Sequence, residues 1–299
     1  MNTIERAMRK AAGAEPLPES TEREAPRQEA PEPPPHFRES SPEPGIQPAV
    51  DRPAHPLDPE RMRRLGLLTP DEDRGRVAEE FRTLKRPLIR NAFGQNGPAI
   101  RNGNLIMVTS ALPREGKTFC TINLALSITR EIGRTVMLVD ADVARPSILH
   151  YLGLQGAELG LLDVLGGHVG NLSDVILRTD VPNLTVVPAG RNYSQSTELL
   201  ASDAMAALGQ EMAERYPDRI VLFDSPPLLA TTEASVLATH MGQILVVVQA
   251  MRTAQNAVSS ALEQIEGCDV VMTMLNRVTR LPGLDYQYGY GYGYGSYGS

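Results

Sequence analysis

The chain is short of cysteine and histidine and has no long apolar run, and each shortage closes a class of explanation. Cys120 and Cys268, the two cysteines, lie far apart without C-x-x-C spacing, so neither a disulfide framework nor a thiolate metal site is expected. Two buried, reduced thiols in a cytosolic compartment fit better. His36, His55, His150, His168 and His240 are scattered and have no metal-ligand spacing. The longest strongly apolar run, Ile244–Val248, is far below the roughly 20 residues of a bilayer-spanning helix. The opening MNTIERAMRK has no signal-peptide core. A soluble chain is therefore expected, with any membrane attachment made through a partner. Of the net charge of −7, residues 1–60 carry −5, from twelve acidic and seven basic side chains. The remainder is close to neutral and has no basic stripe, which argues against nucleic acid as a partner.

What is present centres on Leu105–Thr118, LIMVTSALPREGKT. The apolar, β-branched run Leu105–Thr109 reads as a buried strand, Pro113-Arg114-Glu115-Gly116 as a turn, and Lys117-Thr118 as the start of a helix marked by Cys120, Leu124, Ile128 and Ile132. Strand, loop, Gly-Lys-Thr, helix is the P-loop arrangement. The loop's N–H groups and the helix N-terminus offer partial positive charge to phosphates. Lys117 adds a full charge at the β/γ positions, and the Thr118 hydroxyl can ligate Mg²⁺. Ala111 replaces the first glycine of the usual pattern. These residues point to a bound nucleoside triphosphate.

Residues 1–12 carry Ile4, Met8, Ala11 and Ala12 at helical spacing, and both a docking helix and a frayed terminus stay open. From Glu15 to about Pro59 the chain is Pro- and Glu-rich with hardly an aromatic residue, the composition of a disordered tether or a plain linker. VAEEFRTLKRPLIRN (77–91) is helical in pattern, with Pro87 expected to kink or break it. Glu79, Arg82 and Lys85 share another face of that helix, either as a solvated face with an ion pair or as a subunit contact. Apolar strands then alternate with helices. Strands are expected at Thr135–Asp140, Leu184–Pro188, Ile220–Asp224, Ile244–Gln249 and Val270–Leu275. Helices are expected within 159–165, at Ser196–Tyr216, near Glu233–His240 and at Ala254–Glu266. That order predicts an α/β fold of the P-loop NTPase type: a doubly wound, mainly parallel sheet with ligands at the strands' carboxyl ends. Residues 61–285 form that domain, 1–60 a disordered leader and 286–299 a flexible tail.

A P-loop needs acidic partners to hold Mg²⁺ and orient the attacking group. Asp224 closes the strand of IVLFDSPP as a Walker B acid, and Asp140 and Asp142 close the neighbouring strand. An aspartate at a strand end is often a cap; three such positions on one sheet edge make a site. The tail YQYGYGYGYGSYGS holds six of the nine tyrosines, Tyr286, Tyr288, Tyr290, Tyr292, Tyr294 and Tyr297, and no charged side chain. Alone it would be a low-complexity segment. Beside a phosphoryl-transfer site it reads as a row of acceptors, with glycine spacers leaving each ring unhindered. A phenol has a pKa of about 10, so a carboxylate must accept or orient its proton; Asp140 is the candidate, with Asp142 and Asp224 nearer the metal.

From about Val77 onward these motifs resemble the bacterial tyrosine autokinases of the P-loop type, which serve capsule and exopolysaccharide synthesis. The likeness rests on Ser110-x-x-Pro113-x-Glu115-Gly116-Lys117-Thr118, on VMLVDAD followed by Arg145-Pro146, on FDSPP and on the terminal tyrosines. DADVARPS and FDSPPLL look closest to the exosortase-associated subgroup. The resemblance implies ATP contacts from Pro113, Arg114, Glu115, Gly116, Lys117, Thr118 and Phe119. Mg²⁺ would be held by Thr118, Asp142 and Asp224, with Asp140 acting on the incoming tyrosine. Asn276-Arg277 resembles the family's adenine-side segment, though a plain strand-exit loop stays open. Glu79-x-x-Arg82-x-x-Lys85 looks like the family's subunit contact, which builds a ring whose tails feed neighbouring sites. An inner-membrane chain-length-determinant protein as activator and a cognate tyrosine phosphatase are the implied partners. The implied location is cytoplasmic, peripheral at the inner membrane.

Three departures stand out. Ala144 occupies the place where the family usually has arginine, and Arg145 follows it. Lys85 replaces the final arginine of the subunit motif, losing a bidentate fork. The sequence also supplies no membrane span of its own. The rival readings are a Min/Par-type positioning ATPase and an ATP-dependent assembly scaffold without kinase activity. The Min/Par class carries a signature lysine where this chain has Leu112.

Overall fold

A computed structural model of the chain describes residues 54–70, 75–94, 100–193, 195–215 and 218–279. The leader up to residue 53 and the tyrosine tail lie outside these residues.

Seven strands form one sheet in the order β3-β4-β2-β5-β1-β6-β7. They are β1 (Leu105–Ser110), β2 (Thr135–Asp140), β3 (Leu177–Arg178), β4 (Leu184–Val187), β5 (Arg219–Asp224), β6 (Gln243–Gln249) and β7 (Val271–Asn276). All neighbours pair in parallel except β3, which runs antiparallel to β4. Period-two alternation divides each central strand between two cores. Leu105 and Met107 of β1, with Val221 and Phe223 of β5, pack into one core. Ile106 and Val108, with Ile220 and Leu222, pack into the other. Both faces are covered, which is why these strands read as unbroken apolar runs.

The second core is closed by α1 (Pro59–Arg64), α2 (Arg76–Phe93), α3 (Lys117–Ile128) and α4 (Ile148–Leu152). On the opposite side lie α5 (Leu161–Leu165), α6 (Ser196–Leu200), α7 (Asp203–Arg215), α8 (Glu233–Ala238) and α9 (Gln255–Glu263). Doubly wound, mainly parallel architecture is thus what the chain adopts.

Several local expectations need correction. Ordered structure begins ahead of residue 61. The Asp58 side chain caps α1 by accepting the Arg61 N–H at 2.9 Å. His55 forms a β-bridge with Thr179, and Leu57 is buried. Pro87 does not break α2, which runs unbroken over 18 residues. The bond it cannot make would go to Thr83, which is exposed, so that carbonyl stays open to solvent. The expected helix Ser196–Tyr216 is two helices, because Ser202 starts a new one: its Oγ donates back to Leu199 O at 2.7 Å, and its carbonyl accepts the Ala206 N–H at 3.2 Å. Cys120 is buried, whereas Cys268 is only half-buried.

The largest correction concerns Lys85. It does not join Glu79 and Arg82 on an outer face; it is 4% exposed. Its Nζ donates to the Ser127 carbonyl at 2.6 Å and pairs with Glu131 at 2.6 Å. Ser127 lies in the last turn of α3, so Lys85 places a cation where that helix's unpaired carbonyls and negative dipole end converge. Glu79 and Arg82 do pair with each other, outside. Lys85 is therefore a brace between α2 and α3, not a free contact for a neighbouring subunit. Lys85→Met should leave the Ser127 carbonyl without its charged donor and lower stability by about 1–3 kcal/mol. Urea unfolding measures this, and wild-type stability in the variant would return Lys85 to the surface.

Candidate active site

The parallel order brings the carboxyl ends of β1, β2 and β5 together at the centre of the sheet. After Ser110 the chain turns through Ala111–Gly116 and enters α3. FDSPPLL follows beside it, with Leu228 N–H donating to Ser110 O at 2.8 Å and Leu229 N–H to Ala111 O at 3.2 Å. Gly116 has φ +94°, and a Cβ there would lie 2.1 Å from Asn276 Nδ2. Only glycine fits. Ala111 is buried and is not among the positive-φ residues described, so the missing first glycine costs the turn nothing in backbone conformation.

Five of the expected site residues meet in one network. Lys117 Nζ donates to Asp142 Oδ2 at 2.5 Å, and Thr118 Oγ1 donates to Asp224 Oδ2 at 2.6 Å. Thr121 Oγ1 reaches the other Asp224 oxygen at 3.3 Å. Asp140 stands in register with Asp224 on the adjacent strand. Its Oδ2 accepts the N–H groups of Ser147 and Ile148 at 2.9 and 3.0 Å, while its Oδ1 is buried without a partner.

Three carboxylates against one lysine shape the protonation. Burial and then the Asp224 charge push Asp140 up to about 8, against the pull of the Ile148 and Ser147 N–H groups. Burial pushes Asp224 up to about 6, with Lys117 and the Thr118 hydroxyl opposing. For Lys117, burial favours the neutral amine, but the charges of Asp224, Asp142 and Asp140 win and raise its pKa. Burial, aided by Asp224, lifts the Cys120 thiol on α3 to about 12, so it is no nucleophile.

A cavity of about 340 Å³ opens over the turn. Arg114, Gly116, Lys117, Thr118 and Phe119 line it as the sequence suggests, with Arg277 from the end of β7. Pro113 and Arg114 are exposed on the turn. Glu115 behaves differently: it is buried, and both its oxygens are taken by Leu112 N–H and the Thr253 hydroxyl. Only its backbone is left for a phosphate. Asn276 faces the turn as well, donating to Glu115 O at 2.9 Å. Tyr151 and Arg252 complete the cavity and Ser147 supports Asp140, none of them anticipated. Tyr151 and Arg252 sit on loops and helices that no motif marks; the Pro146-Ser147 step before α4 was the one readable sign.

The cavity runs into a larger groove of about 880 Å³, sharing Gly116, Phe119, Tyr151 and Arg277 with it. Val77, Phe81 and Leu84 of α2 and Met274 and Leu275 of β7 wall that groove. A small cationic chamber opening into a broad apolar one suits a ligand with a polyanionic end and a flat apolar end. For a cation the donors are the Thr118 hydroxyl and the carboxylates of Asp142 and Asp224. Among the described residues no three His, Cys, Asp or Glu side chains form a cage sufficient for a metal. This donor set, with the orphaned Asp140 Oδ1 beside it, fits Mg²⁺, which keeps waters and completes its shell with phosphate oxygens.

The family described as "AAA domain" matches residues 106–276, from β1 to the end of β7. The chain belongs to that family. Within the AAA-domain family its relatives are bacterial tyrosine kinases. It is 32% identical over 179 residues to tyrosine-protein kinase ptk of Acinetobacter johnsonii, an alignment covering 59% of this chain and 24% of ptk. It is 29% identical to tyrosine-protein kinase CpsD of Streptococcus agalactiae, covering 73% of this chain and 90% of CpsD. Among solved structures, the kinase domain of Escherichia coli tyrosine kinase ETK superposes with a TM-score of 0.55 at 30% identity, covering 63% of this chain and 73% of that one. The chain spans about a quarter of the length of the first curated relatives it matches.

Because Asp140 and Asp224 bind protons more tightly folded than unfolded, these two carboxyls should contribute a loss of stability to the nucleotide-free chain as pH rises from about 4 to about 8. Asp140→Asn removes the carboxyl with the higher value and should flatten the slope between pH 6 and 8. Urea unfolding at several pH values checks both; equal slopes in the two chains would refute this account of the charge balance.

Proposed function

We propose that this chain is an ATP-dependent protein-tyrosine kinase that phosphorylates the tyrosine cluster of its own kind in trans. The observation that carries the reading is the bonded set Lys117, Thr118, Asp142 and Asp224, with Asp140 beside it, at the mouth of a cationic cavity. Relatedness to bacterial tyrosine kinases over the same residues supports it.

Incoming phosphates draw Lys117 away from Asp142, which frees that carboxylate, together with Asp224 and the Thr118 hydroxyl, for Mg²⁺. Mg²⁺ held by these groups would supply neutralisation of phosphate charge. The turn's N–H groups and Lys117 then hold the γ-phosphate in line with the acceptor. The tyrosine Oη forms a bond to the γ-phosphorus as the bond to the β-phosphate oxygen breaks and ADP leaves. The phenolic proton passes to Asp140, through Oδ1, the oxygen without a partner. Burial and the neighbouring Asp224 charge raise the affinity of the Asp140 carboxylate for that proton.

The acceptors are Tyr286, Tyr288, Tyr290, Tyr292, Tyr294 and Tyr297. Fourteen residues reach at most about 45–50 Å, enough to enter a second subunit's site. Glu79 and Arg82 on the outer face of α2 are the proposed contact of that homo-oligomer, a ring being its simplest closed form. The chain acts in exopolysaccharide chain-length control and export, cytoplasmic and peripheral at the inner membrane. An inner-membrane chain-length-determinant protein is the activator, and a tyrosine phosphatase resets the cluster. The wording DADVARPS and FDSPPLL supports the exosortase-associated subgroup. Leu112, where the positioning ATPases carry a lysine, is exposed at the turn and offers no charge to a phosphate.

Incubation with ATP and Mg²⁺, with and without the activator's cytoplasmic segment, should give phosphotyrosine in the wild type. Lys117→Met and a chain ending at Asp285 should give none. ATP turnover without phosphotyrosine in every arm would favour the positioning ATPase, and neither signal would favour the scaffold.

A further inference from the structure

Glu115 is 3% exposed, yet its carboxylate serves neither a cation nor the cavity. Oε2 accepts the Leu112 N–H at 2.8 Å, closing the phosphate turn on itself, and Oε1 accepts the Thr253 hydroxyl. The Thr253 hydroxyl also accepts the Gln249 N–H at 3.2 Å, at the end of β6. One buried carboxylate therefore ties the turn after β1 to the loop after β6. Asn276 adds the end of β7 by donating to the Glu115 carbonyl.

The loop held in this way is short and shaped. Ala250 N–H donates to Asn276 O at 2.9 Å, and Thr253 N–H donates to Gln249 O at 3.1 Å. Met251 between them has φ +59°, a left-handed conformation uncommon for a residue other than glycine, and its side chain is exposed. The next residue is Arg252, whose side chain lines the cavity over Lys117 and Thr118. Arg114 and Arg277 line the same cavity.

We propose that Thr253 is a positioning residue: through the Glu115 carboxylate it fixes the phosphate turn and aims Arg252 at the phosphates of bound nucleotide. Arg252 is then a binding residue of the phosphate site, and Thr253 acts without touching the ligand. The proposal rests on the nucleotide-site reading above. It extends that reading to a loop that carries no motif. A polyphosphate gains from it and a monophosphate gains little, because Arg252 and the turn's N–H groups meet the β/γ end of the ligand.

The test is equilibrium binding of ATP·Mg²⁺ and of AMP to the full chain, with thermal unfolding alongside. Thr253→Val keeps the shape and removes the hydroxyl; Thr253→Ser keeps the hydroxyl; Arg252→Gln removes the charge. Thr253→Val and Arg252→Gln should each weaken ATP binding about tenfold. AMP binding should change by no more than about twofold, Thr253→Val should lower the melting temperature modestly because one Glu115 oxygen loses its donor while Arg252→Gln leaves it near wild type, and Thr253→Ser should bind ATP as wild type does. Unchanged ATP binding in Thr253→Val overturns the proposal. Equal losses for ATP and AMP with a lowered melting temperature also overturn it, since the bracket would then only hold the fold. A folded wild type that binds no ATP would instead remove the nucleotide reading beneath it.

Discussion

Asp140 and Asp224 lie opposite each other because β2 and β5 are parallel neighbours in register. That adjacency is a cost that the rest of the site manages. Two buried carboxyls side by side, with Asp142 close, cannot all ionise unless positive charge joins them. Lys117 provides it, and backbone N–H groups at the start of α4 and the hydroxyls of Thr118 and Thr121 provide the remainder. The site is therefore built as a charge deficit. It gains most from a ligand that brings its own cation and separates Lys117 from Asp142, and a nucleotide with Mg²⁺ does both. An anion without a metal would take Lys117 and leave three carboxylates facing one another.

The same deficit explains why the turn needs bracing from outside. A loop that offers bare N–H groups to a ligand has no regular structure of its own to hold it. Here the bonds run sideways, to FDSPPLL along β1, to Glu115 within the turn, and from Glu115 to the loops after β6 and β7. Glu115 carries its charge a few residues from Lys117 but spends it on structure, so the phosphate side of the turn keeps a positive face.

Fold and site were legible in the sequence to different depths. The central strands are buried on both faces and leave apolar runs that nothing else imitates, so β1, β2, β5 and β6 fall within a residue or so of expectation. Asp140, Asp142 and Asp224 were readable because parallel order forces strand ends together. Lys85 was not. Its helical spacing with Glu79 and Arg82 is genuine, yet a long side chain at the margin of a face can turn inward, and the carbonyl it meets belongs to a helix 42 residues away in sequence. β3, only two residues long, pairs against the parallel grain and carries no pattern. Thr253 and Arg252 act through contacts made across the sheet, which local spacing does not encode.

Burial of Lys85 ties α2 to the chemistry of the site. The lysine fastens α2 to the carboxyl end of α3, the helix whose amino end is Lys117 and Thr118. Phe81 of α2 also meets Phe119 edge-on, with ring centroids 6.5 Å apart. Helix α2 thus grips α3 near both ends, so a load on its outer face, where Glu79 and Arg82 sit, bears directly on the helix that holds the phosphate site. Close packing makes such a pair shift as a unit. Lys85 thus serves as an internal strut between the two helices rather than as an outward arm.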